Sequence, residues 1–178
     1  MLANSTRMLS TRLVARSAPS VALGRRSVTT LSKSLYTAHA SASGQGRNGK
    51  TSLLDAPQPL DLTLAMPKEL GGDGKGQNPE QLFAMGYAAC FLSALNLVTS
   101  QAKSSIPKDT KCEAHVSIGP PSEGNKPFAI AVELVIKASA QGKDLDNLKS
   151  LVDKAHDVCP YSNATRNNVP VDIKVLSA

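Results

Sequence analysis

A chain of 178 residues, 41% of them hydrophobic, is long enough for one domain of ordinary size plus an appendage. With no tryptophan and only 3% aromatic residues it lacks stacking platforms for nucleic acid. The net charge of +6 sits at one end. Residues 1–54 carry eight Lys or Arg and no acid, whereas residues 55–178 carry twelve basic and fourteen acidic residues, a net of −2. The basicity therefore reads as an N-terminal address rather than a nucleic-acid surface. The three cysteines, Cys90, Cys112 and Cys159, are too few and too odd in number for a secreted disulfide framework. Their spacing matches neither a zinc knuckle nor a CxxC pair. A redox or catalytic pair plus one bystander, in a reducing compartment, is the economical reading.

Residues 1–33 are rich in Arg, Ser and Thr and contain no Asp or Glu. Arg7, Arg12 and Arg16 recur with Leu9, Leu13 and Val14 between them, and there is no continuous apolar run. That composition predicts a mitochondrial transit peptide, with Arg25-Arg26-Ser27 a cleavage neighbourhood and residues 34–178 the folded domain. Leu35 to Ser43 reads as a strand, Gly44 to Gly49 as a turn, and Lys50 to Leu54 as the returning strand of a hairpin. Leu60 to Ala65 alternates cleanly and predicts a third strand. The glycine-rich stretch Leu70 to Gly76 lacks the order of a phosphate loop and reads as a flexible entry to a helix.

The stretch from Gln77 to Gln101 predicts that helix as one long element. Asn78 is a favoured N-cap, Pro79 suits the first helical position, and Gln81 completes a capping box. Leu82, Phe83, Met85, Gly86, Ala89, Cys90, Leu92, Ser93, Leu95 and Leu97 cover nearly the whole circumference, which predicts burial on all sides. Its 25 residues could span a membrane, but Glu80, Gln81, Ser93 and Asn96 interrupt the apolar run and argue against insertion. Gly86, Ala88 and Ala89 leave little bulk before Cys90, so another element can approach that thiol.

Beyond it, Lys111 to Ile118 and Phe128 to Ala138 predict a second hairpin around the loop Gly119 to Pro127. Asp144 to Val158 places Leu145, Leu148, Leu151, Val152, Ala155 and Val158 at helical spacing, with Asp144 as its expected N-cap and Pro160 as its stop. Ser162 to Asn168 is a short turn or helix, and Val169 to Leu176 the last strand. The order βββ-α-ββ-α-β, hairpins with helices between them, argues an α+β fold.

Cys90 lies mid-helix beside small residues, and Cys159 lies at a helix end before a proline. A thiol of ordinary pKa needs a positive neighbour to ionise at neutral pH. Arg47 and Arg166, near turns, are the candidate cations, because a guanidinium stays charged and presents a planar fork. Glu80 is the carboxylate that could hold such a fork. Ten residues separate Glu80 from Cys90 on one helix, about 15 Å of rise. Either a long Arg47 spans the gap, or Arg47 and Glu80 reach a thiol of another subunit. Cys112 on an alternating strand reads as plain core, and His39, His115 and His156, with no mutual metal or triad spacing, read as structural or surface.

The segments NPEQLFAMGYAACFLSAL at 78–95 and VCPYSNATRNN at 158–168 resemble the organic hydroperoxide resistance (Ohr) branch of the OsmC/Ohr family. YTAHASASGQGRNG at 36–49 and LAMPKELGG at 64–72 resemble it too. The resemblance implies a thiol peroxidase acting on organic and fatty-acid hydroperoxides. Carried over residue by residue, it implies that Cys90 is the peroxidatic cysteine and Cys159 the resolving one, that Arg47 stabilises the thiolate and that Glu80 holds Arg47. It further implies an intertwined homodimer with sites at the subunit interface. No bound cofactor or metal is implied; the reductant would be an external dithiol, dihydrolipoamide on a lipoylated protein, which suits a mitochondrial matrix location. Phe83, Met85 and Phe91 are expected to line the apolar substrate site. Two other functions fit the same residues: a ligand-binding module with inert cysteines, and a general dithiol–disulfide oxidoreductase. Neither nucleic acid nor membrane insertion is expected.

Overall fold

The structure is a computed structural model that describes residues 28–177. Most of the predicted leader lies outside the described residues, and residues 28–37 are exposed and without helix or strand. From residue 38 onward the chain runs β1 (Ala40–Ser43), β2 (Lys50–Leu53), β3 (Asp61–Thr63), α1 (Pro79–Gln101), β4 (Lys111–Gly119), β5 (Ala129–Ala138), α2 (Gly142–Val158), α3 (Pro160–Thr165) and β6 (Val171–Ser177). This is the expected α+β order with a short third helix.

The strands form two three-stranded sheets. The first is the antiparallel meander β1-β2-β3, in which Thr51 faces Ala42 on one side and Leu62 on the other. β1 is shorter than predicted. Its strand pairing begins at Ala40, opposite Leu53, where β2 ends; one further bond, Leu54 N–H to His39 O at 2.9 Å, closes the ladder. The second sheet has the order β4-β5-β6. β4 and β5 make the predicted hairpin, but β6 lies parallel to β5. A parallel neighbour needs a crossover, and α2 with α3 supplies it.

β5 is the centre of the core. Its inward face, Val132, Leu134, Ile136 and Ala138, packs with Tyr87, Phe91, Ala94, Leu95 and Val98 of α1 and with Leu148, Leu151, Val152 and Ala155 of α2. α1 begins as its sequence dictates. Asn78 Oδ1 accepts from the Gln81 N–H at 2.9 Å, and Gln81 Oε1 accepts from the Asn78 N–H at 2.9 Å.

Three expectations need correction. Within one chain α1 is not buried on all sides: Met85 is 68% and Leu97 52% exposed. A helix laid on one sheet and one neighbouring helix covers one stripe only, and here that stripe is the Tyr87–Val98 face. α2 starts two residues earlier than predicted, after Gln141, which makes no side-chain cap; Asp144 sits instead in the first turn, where its charge favours the helix dipole. The glycine-rich entry is also more tied than expected. Backbone bonds Gly72 N–H to Pro67 O at 3.0 Å, Gly74 N–H to Met66 O at 3.1 Å and Ala65 N–H to Gln77 O at 2.9 Å staple it to the end of β3.

Leu95 is fully buried between α1 and the second sheet. Leu95→Ala should cost about 3 kcal/mol, the transfer term plus the cavity left behind. Denaturant unfolding monitored by circular dichroism checks this.

Candidate active site

Cys90 sits on α1 one residue before Phe91 and three after Tyr87, at the edge of the buried stripe, and is half-buried. Gly86, one turn earlier, has a neighbour waiting. A Cβ there would stand 3.0 Å from Tyr161 Oη and 3.2 Å from its Cε2. The ring of α3 therefore lies over the glycine, which is the close approach that the small residues before Cys90 foretell.

Cys159 is placed by a proline. α2 ends at Val158 and α3 begins at Pro160, with Cys159 extended between them at φ −65° and ψ 123°. A residue preceding proline is driven out of the helical region. Cys159 N–H still bonds Ala155 O at 2.9 Å, and Cys159 O accepts from Asn163 N–H at 3.0 Å, so the elbow is fixed on both sides. The fully buried Cys159 Sγ lies 3.6 Å from Cys90 Sγ, and both cysteines are free. A disulfide is about 2.0 Å long, so the two thiols are in contact but not joined.

Burial is the largest influence on Cys90 and pushes its thiol above the ordinary value; contact with Cys159 pushes the same way, and the Tyr161 backbone N–H opposes both. Arg47 is not among these influences. It lies in the turn Gly46–Asn48, which is closed so tightly that a Cβ on Gly49 would stand 1.9 Å from Ser43 O. Asn48 Oδ1 ties the turn to Met66 N–H at 2.9 Å. From there Arg47 grips Glu80, in the first turn of α1, with Nη1 to Oε2 at 2.8 Å and Nη2 to Oε1 at 2.5 Å. This two-pronged bond raises the arginine's pKa and holds the Glu80 carboxyl below the usual value. The structure thus joins Arg47 with Glu80 and Cys90 with Cys159, as two separate pairs in one chain. Arg166, the other candidate cation, donates instead to His156 O at 3.0 Å and to Asp157 at the end of α2.

Phe83 stacks on Tyr161 with ring centres 5.7 Å apart and planes 12° apart, and Tyr87 meets both rings edgewise or tilted. Met85 lies with Leu53, Leu60, Leu62 and Leu82 along an apolar groove of about 280 Å³. Phe91, expected to line the site, is fully buried in the core beside His156. A side chain on the β5-facing stripe cannot also face a substrate. Tyr161 is the residue missed in the sequence. It sits beside Cys159 in the CPY run and is aromatic, so the signal was present. A cavity of about 690 Å³ under the β4–β5 tip has Arg47 on its wall but neither thiol of the pair. Cys112, opposite Ile136, is pushed up to about 12, mainly by burial, and packs against the core as expected. His39 pairs with Asp55 and His115 with Glu133. Among the described residues no group of three His, Cys, Asp or Glu side chains could hold a metal ion.

An α+β fold that seats two free cysteines in contact between its long helix and a helix elbow defines a class of two-cysteine proteins. The OsmC-like protein family model matches residues 72–174, and the chain belongs to this OsmC/Ohr family. It is 49% identical over 142 residues, 79% of this chain and 94% of the relative, to an organic hydroperoxide resistance protein of Xanthomonas axonopodis pv. citri. It is 41% identical to organic hydroperoxide resistance protein OhrA of Bacillus subtilis over 82% of this chain and 99% of that one. The crystal structure of an organic hydroperoxide resistance protein from Legionella pneumophila, 45% identical, superposes with a TM-score of 0.71 and covers 80% of this chain and 98% of its own.

Two measurements test this site. At pH near 8, alkylation followed by mass spectrometry should label Cys90 well before Cys112, whose thiol is hardly ionised there. The second concerns the ion pair. Because Glu80 is held below its usual value of 4.5, the stability it adds is full above that pH and is lost as pH falls through the lower folded value. Below about pH 4.5 the wild type should therefore lose stability more steeply than Glu80→Gln.

Proposed function

We propose that the protein is a thiol-dependent peroxidase that reduces organic hydroperoxides, including those of fatty acids, to alcohols. The observation that carries this reading is the 3.6 Å contact between Cys90, half-exposed, and Cys159, fully buried. A reactive sulfur at a surface with a second sulfur behind it is the arrangement a two-step peroxidase needs.

The Cys90 thiolate attacks the distal peroxide oxygen. The O–O bond breaks, the alkoxide leaves and takes up a proton as alcohol, and Cys90 becomes a sulfenic acid. Cys159 then condenses with it, a disulfide forms and water leaves. An external dithiol opens the link by exchange and carries away the two electrons. Dihydrolipoamide on a lipoylated protein is the reductant we favour. The basic, acid-free composition of residues 1–33 supports the mitochondrial matrix as the place where the two meet.

The thiolate still needs a cation, since burial alone disfavours it. We assign that role to Arg47 held by Glu80, acting on Cys90 of a second copy in a homodimer. The ten-residue offset of Glu80 from Cys90 along α1 supports this arrangement, as do the uncovered Met85 and Leu97 of that helix. So does the first sheet, in which no residue of β1, β2 or β3 is buried. Phe83 and Met85 remain the proposed apolar lining, with Tyr161 in place of Phe91.

Anaerobic thiol counting before and after one equivalent of an organic hydroperoxide should show the loss of two thiols and a Cys90–Cys159 link. Cys90→Ser should abolish peroxide consumption, and Cys159→Ser should react once and then overoxidise. An inert ligand-binding module would show no peroxide-dependent disulfide, and a general oxidoreductase would turn over disulfides without peroxide. Mixing Cys90→Ser chains with Arg47→Ala/Glu80→Gln chains should restore activity, because one heterodimer site would then hold every wild-type group. Verified heterodimers without recovered turnover would remove the shared site.

A further inference from the structure

Behind Cys159 lies a chain of buried hydroxyls that the peroxide chemistry does not use. Tyr87 and Ser162 are both fully buried. Tyr87 Oη donates to Ser162 Oγ at 3.0 Å, and Ser162 Oγ lies 3.0 Å from His156 Nδ1. Thr165 Oγ1 stands 3.3 Å from Tyr87 Oη and bonds Tyr161 O at 2.9 Å. One hydroxyl thus gathers α1 through Tyr87, α2 through His156 and α3 through itself.

Tyr87 gives its proton to Ser162, and Ser162 Oγ shares the next bond with His156 Nδ1, in a direction set by the imidazole tautomer. Burial and the Arg166 charge both hold His156 below its ordinary value, against the weaker pull of Asp157 and Asp153. Buried hydroxyls are costly unless they are bonded, and alanine and phenylalanine would fill much the same space without that requirement. Packing alone therefore does not explain the choice. Position does: Ser162 is three residues after Cys159, one turn into the helix that carries the elbow.

We propose that Ser162 is a positioning residue for disulfide formation: bonded to Tyr87 and His156, it holds the α2–α3 elbow on α1 and keeps Cys159 Sγ within reach of Cys90 Sγ. The inference rests on the peroxidase reading. In the step concerned, the S–S bond forms as the S–O bond of the Cys90 sulfenic acid and the S–H bond of Cys159 break, and water departs. The Cys159 sulfur is oxidised and the Cys90 sulfur reduced; the organic hydroperoxide consumed in the preceding step is the ultimate oxidant. A sulfenic acid that finds no thiol meets a second hydroperoxide and goes on to the sulfinic acid. A loosened elbow therefore shows itself as overoxidation rather than as a slower first attack.

The test compares Ser162→Ala, Tyr87→Phe and Ser162→Thr with wild type, in the full chain, using cumene hydroperoxide under anaerobic single-turnover conditions. Sulfenic acid is trapped with dimedone and disulfide is followed by quenched mass spectrometry. Sulfenic acid should form at the wild-type rate in all four proteins. Disulfide should form about tenfold more slowly in Ser162→Ala and Tyr87→Phe, the effect of one hydrogen bond, and sulfinic Cys90 should accumulate at lower peroxide. Ser162→Thr, which keeps the hydroxyl, should recover the wild-type partition. Should Ser162→Ala fail to fold, Tyr87→Phe carries the same comparison, because it removes only the donor. Wild-type disulfide rates in the alanine and phenylalanine variants, even with a lowered melting temperature, would overturn the inference alone. Absence of a Cys90–Cys159 disulfide in the wild type would overturn the peroxidase reading and this inference with it.

Discussion

The site depends on the seating of one helix elbow against one long helix. Pro160 breaks the helical run at Cys159, and the Cys159 N–H and C=O stay bonded to α2 and α3 on either side of the break. The elbow approaches α1 closely at Gly86, which offers no side chain where the Tyr161 ring settles. Cys90, one turn beyond, then finds a sulfur across the interface at 3.6 Å. The core beneath, with β5 at its centre, sets the height at which both helices ride on the sheet.

The second constraint is a charge pair at the start of α1. Glu80 is fixed by the capped start of α1 and Cys90 by its middle, so the helix sets their backbone positions about 15 Å apart along its axis. Arg47 is committed to Glu80 by both prongs of its fork. Rigid elements therefore deliver two bonded pairs, Arg47 with Glu80 and Cys90 with Cys159. The parts of the molecule with least internal packing, the first sheet and the Met85–Leu97 stripe, are those that a second copy would cover in the proposed dimer.

Much of this was legible in the sequence, because the strongest local rules went unopposed. Asn78, Pro79 and Gln81 state the start of α1 in full, and the structure realises the capping box they describe. The alternation of β4 and β5 and the stop at Pro160 were equally plain, and the small residues near Cys90 foretold an approach whose partner proved to be Tyr161. What was not legible was decided by tertiary contact. Phe91 and Phe83 are alike as residues of an apolar helix; only the packing of α1 on the sheet and α2 sends Phe91 into the core and leaves Phe83 against Tyr161. The parallel placement of β6 depends on how the α2–α3 crossover returns, which no local pattern encodes. His156 and Ser162 each looked ordinary, since their meaning lies in a bonded chain that ends at Tyr87, 69 and 75 residues away along the sequence.

The unequal exposure of the two sulfurs gives the proposed cycle a direction. With both thiols free, Cys159 is fully buried and Cys90 half-exposed, and a link that kept these positions would face outward only on the Cys90 side. An incoming dithiol would then have a single sulfur to strike. The mixed disulfide would form at Cys90, and Cys159 would leave as the departing thiolate, already lodged in the place from which it next acts. The partner would need no recognition of the second cysteine. Its reach need extend only to the α1 surface, and a tethered dithiol on a flexible arm has that reach.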